Sequence, residues 1–170
     1  MTTLKLKSHS NYYKRLYQRW REIGESHTLV EIANLALEMM VDELGYECAV
    51  VFVHEDDTGL FKPLFHRGYS DSADLQVLRI VQALLSGEVV ETLRGSIEPI
   101  VHTEKNPAPA VESLVKQICL QEAVLSVFGG DANVPFGFVV VGNRNALTAN
   151  QPVEDEAALV ALNNLFVHLS

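Results

Sequence analysis

Glu122–Asn143 reads EAVLSVFGGDANVPFGFVVVGN, and its pattern decides the fold. Two apolar runs rich in valine and phenylalanine flank a connection that carries Gly129, Gly130, Asp131 and Asn133. β-Branched and aromatic residues on either side of such a turn predict a β-hairpin. Upstream, Cys48–His54 and Leu60–His66 are joined by Glu55-Asp56-Asp57-Thr58-Gly59, a polar link with glycine where positive φ is often needed. That predicts another hairpin. Glu88–Leu93 and Ile97–His102 read as two further β-like runs, separated by Gly95.

Helical spacing fills the rest. Tyr13, Leu16, Tyr17, Trp20 and Ile23 recur at steps of three and four, ending at Gly24. Thr28-Leu29-Val30-Glu31 is a capping box, in which the threonine hydroxyl accepts from a free backbone N–H and the glutamate reaches back. The stripe Leu29, Ile32, Ala33, Ala36, Leu37, Met40, Val41 and Leu44 follows, with Gly45 as a left-handed exit. A helix-like stretch covers Ser72–Leu85, and Val111, Leu114, Val115 and Ile118 give a short helix after Asn106-Pro-Ala-Pro109. Pro152 suits the first turn of a closing helix whose start is acidic (Glu154, Asp155, Glu156). Its stripe runs through Leu159, Leu162, Leu165, Phe166 and Leu169.

Hairpins joined by helices define an α+β domain with a central antiparallel sheet flanked by helices. Residues 1–9 read as a disordered leader and residues 10–170 as one domain. At 170 residues and 48% hydrophobic content the chain has enough for one packed core. The net charge of −9 hides an asymmetry: six basic residues and no acid precede Glu22, and from there on 7 basic face 22 acidic residues. A body carrying −15 repels a phosphate backbone, which argues against nucleic acid as its ligand. No apolar run reaches the roughly 18 residues of a membrane helix, and the amino terminus lacks a secretory pattern. A soluble cytoplasmic protein is expected. Cys48 and Cys119 form no C-x-x-C pair and read as buried free thiols.

The order of these pieces resembles the GAF domain family of sensory and regulatory modules, whose architecture is related to that of PAS domains. The resemblance covers roughly Thr28–Leu169 and rests on the helix ending in Leu44-Gly45, ECAVVFVHEDDTGLFKPLFHRGYS from Glu47, PFGFVVVGN, and the closing EDEAALVAL. It implies a five- or six-stranded antiparallel sheet, a small-ligand pocket on one face and terminal helices on the other. It also implies dimerisation through those helices and a linked kinase, cyclase or transcriptional output. The expected function is a non-catalytic sensor or regulator of signalling; a pure dimerisation scaffold with a vestigial pocket is the alternative.

Sharper chemistries fit less well. The family's cyclic-nucleotide signature pairs asparagine–lysine, phenylalanine and aspartate–glutamate; Asp155-Glu156 matches, but Gln151 stands where the phenylalanine would and no Asn-Lys pair exists. Bilin attachment needs a cysteine near Val111, and Cys119 comes about two turns later. Haem needs an axial ligand, and His54, His66 and His102 are unsingled candidates at strand ends. The branch resembling methionine sulfoxide reductase uses several cysteines. Catalytic signatures such as G-x-S-x-G, the P-loop and H-E-x-x-H are absent, and Glu55-Asp56-Asp57 reads as a solvated loop rather than a metal site. The tenant of the pocket is thus an unknown small molecule, with His66, Arg67, Tyr69, His102 and Glu104 as candidate lining. Arginine can clamp an anion and tyrosine can stack or donate. A homodimer is expected through Tyr13, Leu16, Tyr17, Trp20 and Ile23 with Leu162, Leu165, Phe166 and Leu169.

Overall fold

The two runs quoted first lie side by side in a computed structural model of the chain, which describes residues 29–55, 57–69, 87–94, 98–128, 137–156, 158–160 and 162–163. They are β4 (Glu122–Phe128) and β5 (Gly137–Asn143), antiparallel, with Val124 opposite Val141 and Leu125 opposite Val140. The earlier hairpin is β1 (Cys48–Glu55) with β2 (Leu60–Arg67). Its turn closes through the Gly59 N–H donating to the Glu55 carbonyl at 2.8 Å, with Gly59 at φ +68°. β3 (Ile100–His102) pairs with β4, so the sheet order is β2-β1-β5-β4-β3, antiparallel throughout.

Both faces of this sheet are covered, which is why β1 and β5 read as nearly continuous apolar runs rather than as alternating ones. One face holds Ala49, Val51, Val53, Val124, Val139 and Val141. Packed on it are Ala36 and Leu37 of α1 (Leu29–Glu38), Met39 and Met40 of the π-helical turn Met39–Glu43 that continues α1, and Leu44. Val153, Ala158 and Leu162 join the same layer, helix being described at residues 156, 158–160 and 162–163. Gly45, at φ +90°, makes the exit that the sequence predicts.

The opposite face holds Cys48, Val50, Phe52, Ala123, Leu125, Phe138 and Val140. Phe52 and Phe138, directly opposite each other on β1 and β5, stack at 4.6 Å, and Phe61 tilts against Phe138 at 5.4 Å. Such pairs contribute about 1 kcal/mol each beyond their buried area. Val89 and Leu93 of α2 (Gly87–Arg94) and Val111, Leu114 and Val115 of α3 (Pro109–Gln117) roof this face.

Two expectations need correction. Glu88–Leu93 is helical, not β-like: Val89 and Leu93 stand four apart and are both buried, the signature of one helical face. Cys119 is exposed, not buried, for a reason given below. Residues 1–28, the whole of the 72–85 stretch and residues 164–170 lie outside the described residues. With them lie Thr28 of the capping box and Tyr13, Leu16, Tyr17, Trp20, Ile23, Leu165, Phe166 and Leu169. Leu162 is fully buried in its own core. Among the described residues no helix is long and apolar enough to cross a membrane.

Candidate functional site

α3 runs across the end of the sheet, and specific bonds fix both of its ends. At its start, the Ala108 N–H donates to His102 Nδ1 at 3.0 Å, tying the helix to the end of β3. At its exit, the Gln121 N–H donates to the Asn143 carbonyl at 2.9 Å, tying the chain to the end of β5. The helix closes with a Schellman motif: Leu120 N–H bonds the Val115 carbonyl at 3.0 Å and Cys119 N–H the Lys116 carbonyl at 3.0 Å. The motif needs a left-handed residue, and Cys119 occupies it at φ +62°, which turns its side chain out of the apolar stripe. A cysteine there carries a cost of about 1 kcal/mol that glycine avoids, although glycine loses more entropy on folding. Cys119→Gly should therefore stabilise by about 0.5 kcal/mol in urea unfolding, and Cys119→Val should destabilise by about 1 kcal/mol.

Between α3, the ends of β3, β4 and β5 and the loop after β5 lies an open groove of about 860 Å³. Its lining includes His102, Thr103, Glu104, Glu112, Lys116, Cys119, Gln121, Arg144, Asn145 and Leu147. His102 is only 5% exposed. Because its Nδ1 accepts from the Ala108 N–H, the ring proton of the neutral form sits on Nε2, which has no protein partner among the described residues. The ring thus offers a donor to the groove it lines. Glu112 and Lys116 bond along α3 at 2.6 Å, and this contact holds the Glu112 carboxyl below its ordinary range. Arg144 lies 5.3 Å from the Tyr69 ring centre and donates to the Gly68 carbonyl at 3.0 Å.

The predicted lining residues divide. His102 and Glu104 line the groove; His66, Arg67 and Tyr69 do not. Arg67 turns to the α1 face and binds Asp42, with its Nε 3.0 Å from the carboxylate. His66, one residue earlier, is exposed and meets the Tyr69 ring edge-on at 6.2 Å. Tyr69 is buried, donates to the Ile118 carbonyl at 2.9 Å and supports Arg144 from behind. Lys116, Gln121 and Arg144 were missed. The available signal was charge: Lys116 and Arg144 are two of only seven basic residues after Glu22.

The two thiols differ in access. Cys48 is 1% exposed and points at the Gly68 carbonyl at 3.6 Å, and burial pushes its pKa up to about 11 from 9.0. In the folded protein a thiol reagent should label Cys119 alone, with Cys48 reacting only on unfolding. The unfolded chain releases the Cys48 proton first, so stability should fall as pH rises from about 9 to 11, by roughly 2 kcal/mol. Burial also raises the Tyr69 pKa above its ordinary 10.0, and this adds a loss of the same sign above that pH. Urea unfolding at about pH 8 and pH 10.5 checks this, and Cys48→Ala should flatten the first part of the decline.

The architecture is that of GAF domains. The chain superposes on the GAF domain of an Acinetobacter phosphoenolpyruvate-protein phosphotransferase with a TM-score of 0.63 and 15% identity, covering 100% of this chain and 92% of that one. The GAF domain of the corresponding Coxiella burnetii protein gives 0.62 and 16%, covering 94% and 90%. That of a protein assigned as a sensor histidine kinase of Pseudomonas syringae pv. tomato gives 0.59 and 13%, covering 99% and 89%. No protein-family model and no curated protein sequence matches the chain. At these identities the likeness establishes the GAF fold, and with it the five-stranded antiparallel sheet between helical layers.

Proposed function

We propose that the chain is a non-catalytic sensory or regulatory domain that binds a small molecule in the groove beside α3 and reports its occupancy to a signalling partner. The fold it shares with domains of a sensor kinase and of phosphotransferases supports the class. The observation that carries the ligand reading is the buried His102, whose Nε2–H has no protein partner and whose ring lines a groove with charged walls. The His102 Nε2–H is not a buried orphan but opens on the groove, where a ligand oxygen can take the place of water as its acceptor.

Cys119 gives the test, because it lines the groove and is the exposed thiol. A screen of metabolite mixtures should contain a compound that slows labelling of Cys119 and raises the melting temperature together. Uniform labelling across the screen, with no shift in melting, would sink the reading. Dimerisation is the second function we propose for the fold. Val30 of α1 and Val160 of the closing helix, 53% and 62% exposed, favour it because they leave apolar surface on the terminal-helix layer. Light scattering should then find a dimer that Leu16→Glu with Trp20→Glu converts to a folded monomer; a monomeric parent protein ends that idea.

A further inference from the structure

Three polar side chains that line the groove share one bonding state. His102 Nδ1 accepts the Ala108 N–H at 3.0 Å, Gln121 Oε1 accepts the Ala146 N–H at 2.8 Å, and Asn145 Oδ1 accepts the Leu147 N–H at 3.0 Å. A backbone N–H only donates, so these bonds fix which ring nitrogen is unprotonated and which way each amide faces. In each residue the acceptor atom is engaged by the backbone. What remains is an N–H donor without a protein partner among the described residues: His102 Nε2–H, the Gln121 amide and the Asn145 amide. They stand at one end of three neighbouring strands, for His102 closes β3, Gln121 precedes β4 and Asn145 follows β5.

The charged groups of the groove are, by contrast, largely engaged. Glu112 and Lys116 pair at 2.6 Å along α3. The Arg144 guanidinium lies against Tyr69 and the Gly68 carbonyl, and the Glu47 carboxylate accepts the Arg144 backbone N–H. Glu104 is the exception, exposed and without a partner among the described residues.

This set disfavours a charged ligand. An anion would accept from the three donors but would meet Glu104 and an acidic body. A cation would pair with Glu104 but would leave the three N–H donors unmet. An uncharged amide escapes both penalties, because its carbonyl oxygens accept from the donors and its N–H donates to Glu104. Closing the amides into a ring removes the charged ends of a linear peptide and the rotors that binding would freeze. It also sets two carbonyl oxygens about 5 Å apart across a six-membered ring, close to the spacing of neighbouring strands. Resting on the small-molecule reading above, we infer that the groove takes an uncharged cyclic amide. Its ring carbonyls, each able to accept twice, meet the donors of His102, Gln121 and Asn145, and a ring N–H donates to the Glu104 carboxylate.

The ring of two glycines, cyclo(Gly-Gly), is the probe. Glycylglycine, the same ring opened to a charged amine and carboxylate, is its control. Titration calorimetry should detect cyclo(Gly-Gly) at about 10 mM, with parallel protection of Cys119, and glycylglycine should bind at least about 10-fold more weakly. Because the ring carries no net charge, its affinity should change less than about 2-fold between low and high salt. Gln121→Glu and Asn145→Asp each keep an oxygen for the backbone N–H and replace the donor by an acceptor. Each should leave the melting temperature within about 2 °C of the parent and weaken cyclo(Gly-Gly) about 10-fold. Should one variant unfold early, the other decides. Glycylglycine binding as tightly as the ring overturns the inference, as do unchanged affinity in the folded variants and absence of cyclo(Gly-Gly) binding at about 10 mM. Protection of Cys119 by citrate or another charged metabolite, with none by cyclo(Gly-Gly), overturns it too, while the small-molecule reading stands. That broader reading fails only when the metabolite screen also leaves Cys119 unprotected.

Discussion

Gly142→Ala should cost about 4 kcal/mol or more, the largest loss expected from a methyl group added at a glycine among the described residues. Gly142 is buried in β5 and sits opposite Ala123 of β4. A Cβ at this position would stand 2.1 Å from the Glu122 carbonyl oxygen and 2.9 Å from the Ala123 Cα. Both are backbone atoms of a paired strand, so no side chain can swing aside; β4 or β5 must move and the β4–β5 ladder with it. Gly68 is a second such place. It combines φ +85° with a Cβ position 2.0 Å from the Glu47 carbonyl, but it lies at the sheet's end, where the chain has more room to yield. A domain stable by about 5–15 kcal/mol would keep little margin after Gly142→Ala. Thermal unfolding should shift down by about 10 °C or more. A variant that melts within about 2 °C of the parent would show that the strands separate there at little cost.

What the sequence disclosed and what it hid follow from which forces are local. The hairpin at Glu122–Asn143 and the pair at Cys48–Arg67 were legible because β-branched runs and glycine turns act over a few residues. α1 was legible because four turns of apolar stripe leave one solution. Gly87–Arg94 was misread because the Val89-Val90 doublet suggests a strand, while the i, i+4 spacing of Val89 and Leu93 speaks only once a sheet exists for them to cover. Cys119 was misread because its periodic position continues the stripe of Val115 and Ile118; the helix stops at Gln117, and the left-handed turn reverses the side chain's direction.

The groove was half legible. His102 and Glu104 follow a strand, and chemistry-bearing residues at strand ends are reasonable guesses. His66, Arg67 and Tyr69 also follow a strand, yet alternation along β2 sends Arg67 to Asp42 and His66 to the opposite side. Which strand end lies under α3 depends on the order β2-β1-β5-β4-β3, and that order is a tertiary fact. Lys116, Gln121 and Arg144 meet His102 only because β4 is inserted between β3 and β5.

The wall of the groove that bears Arg144 depends on one buried amide, and its removal is the second large effect expected. Asn143 is fully buried. Its Nδ2 donates to Glu122 Oε1 at 2.7 Å and to the Gln151 carbonyl at 2.8 Å, while its Oδ1 accepts from the Glu47 N–H at 3.2 Å. It thereby joins β4, the entry to β1 and the far end of the loop that starts at Arg144. Asn143→Ala leaves a buried carboxylate, a carbonyl and an N–H without this partner, at a cost of about 3 kcal/mol. Asn143→Asp should be worse at neutral pH, since it sets a second carboxylate against Glu122 where a donor stood. The loss should reach the groove as well: with Gln151 and Glu47 released, the loop carrying Arg144 is held less firmly and Cys119 should label faster in the folded protein. Urea unfolding with thiol labelling measures both. A cost below about 1 kcal/mol, or an unchanged labelling rate, would show that the ladder between β4 and β5 fixes this corner without the amide.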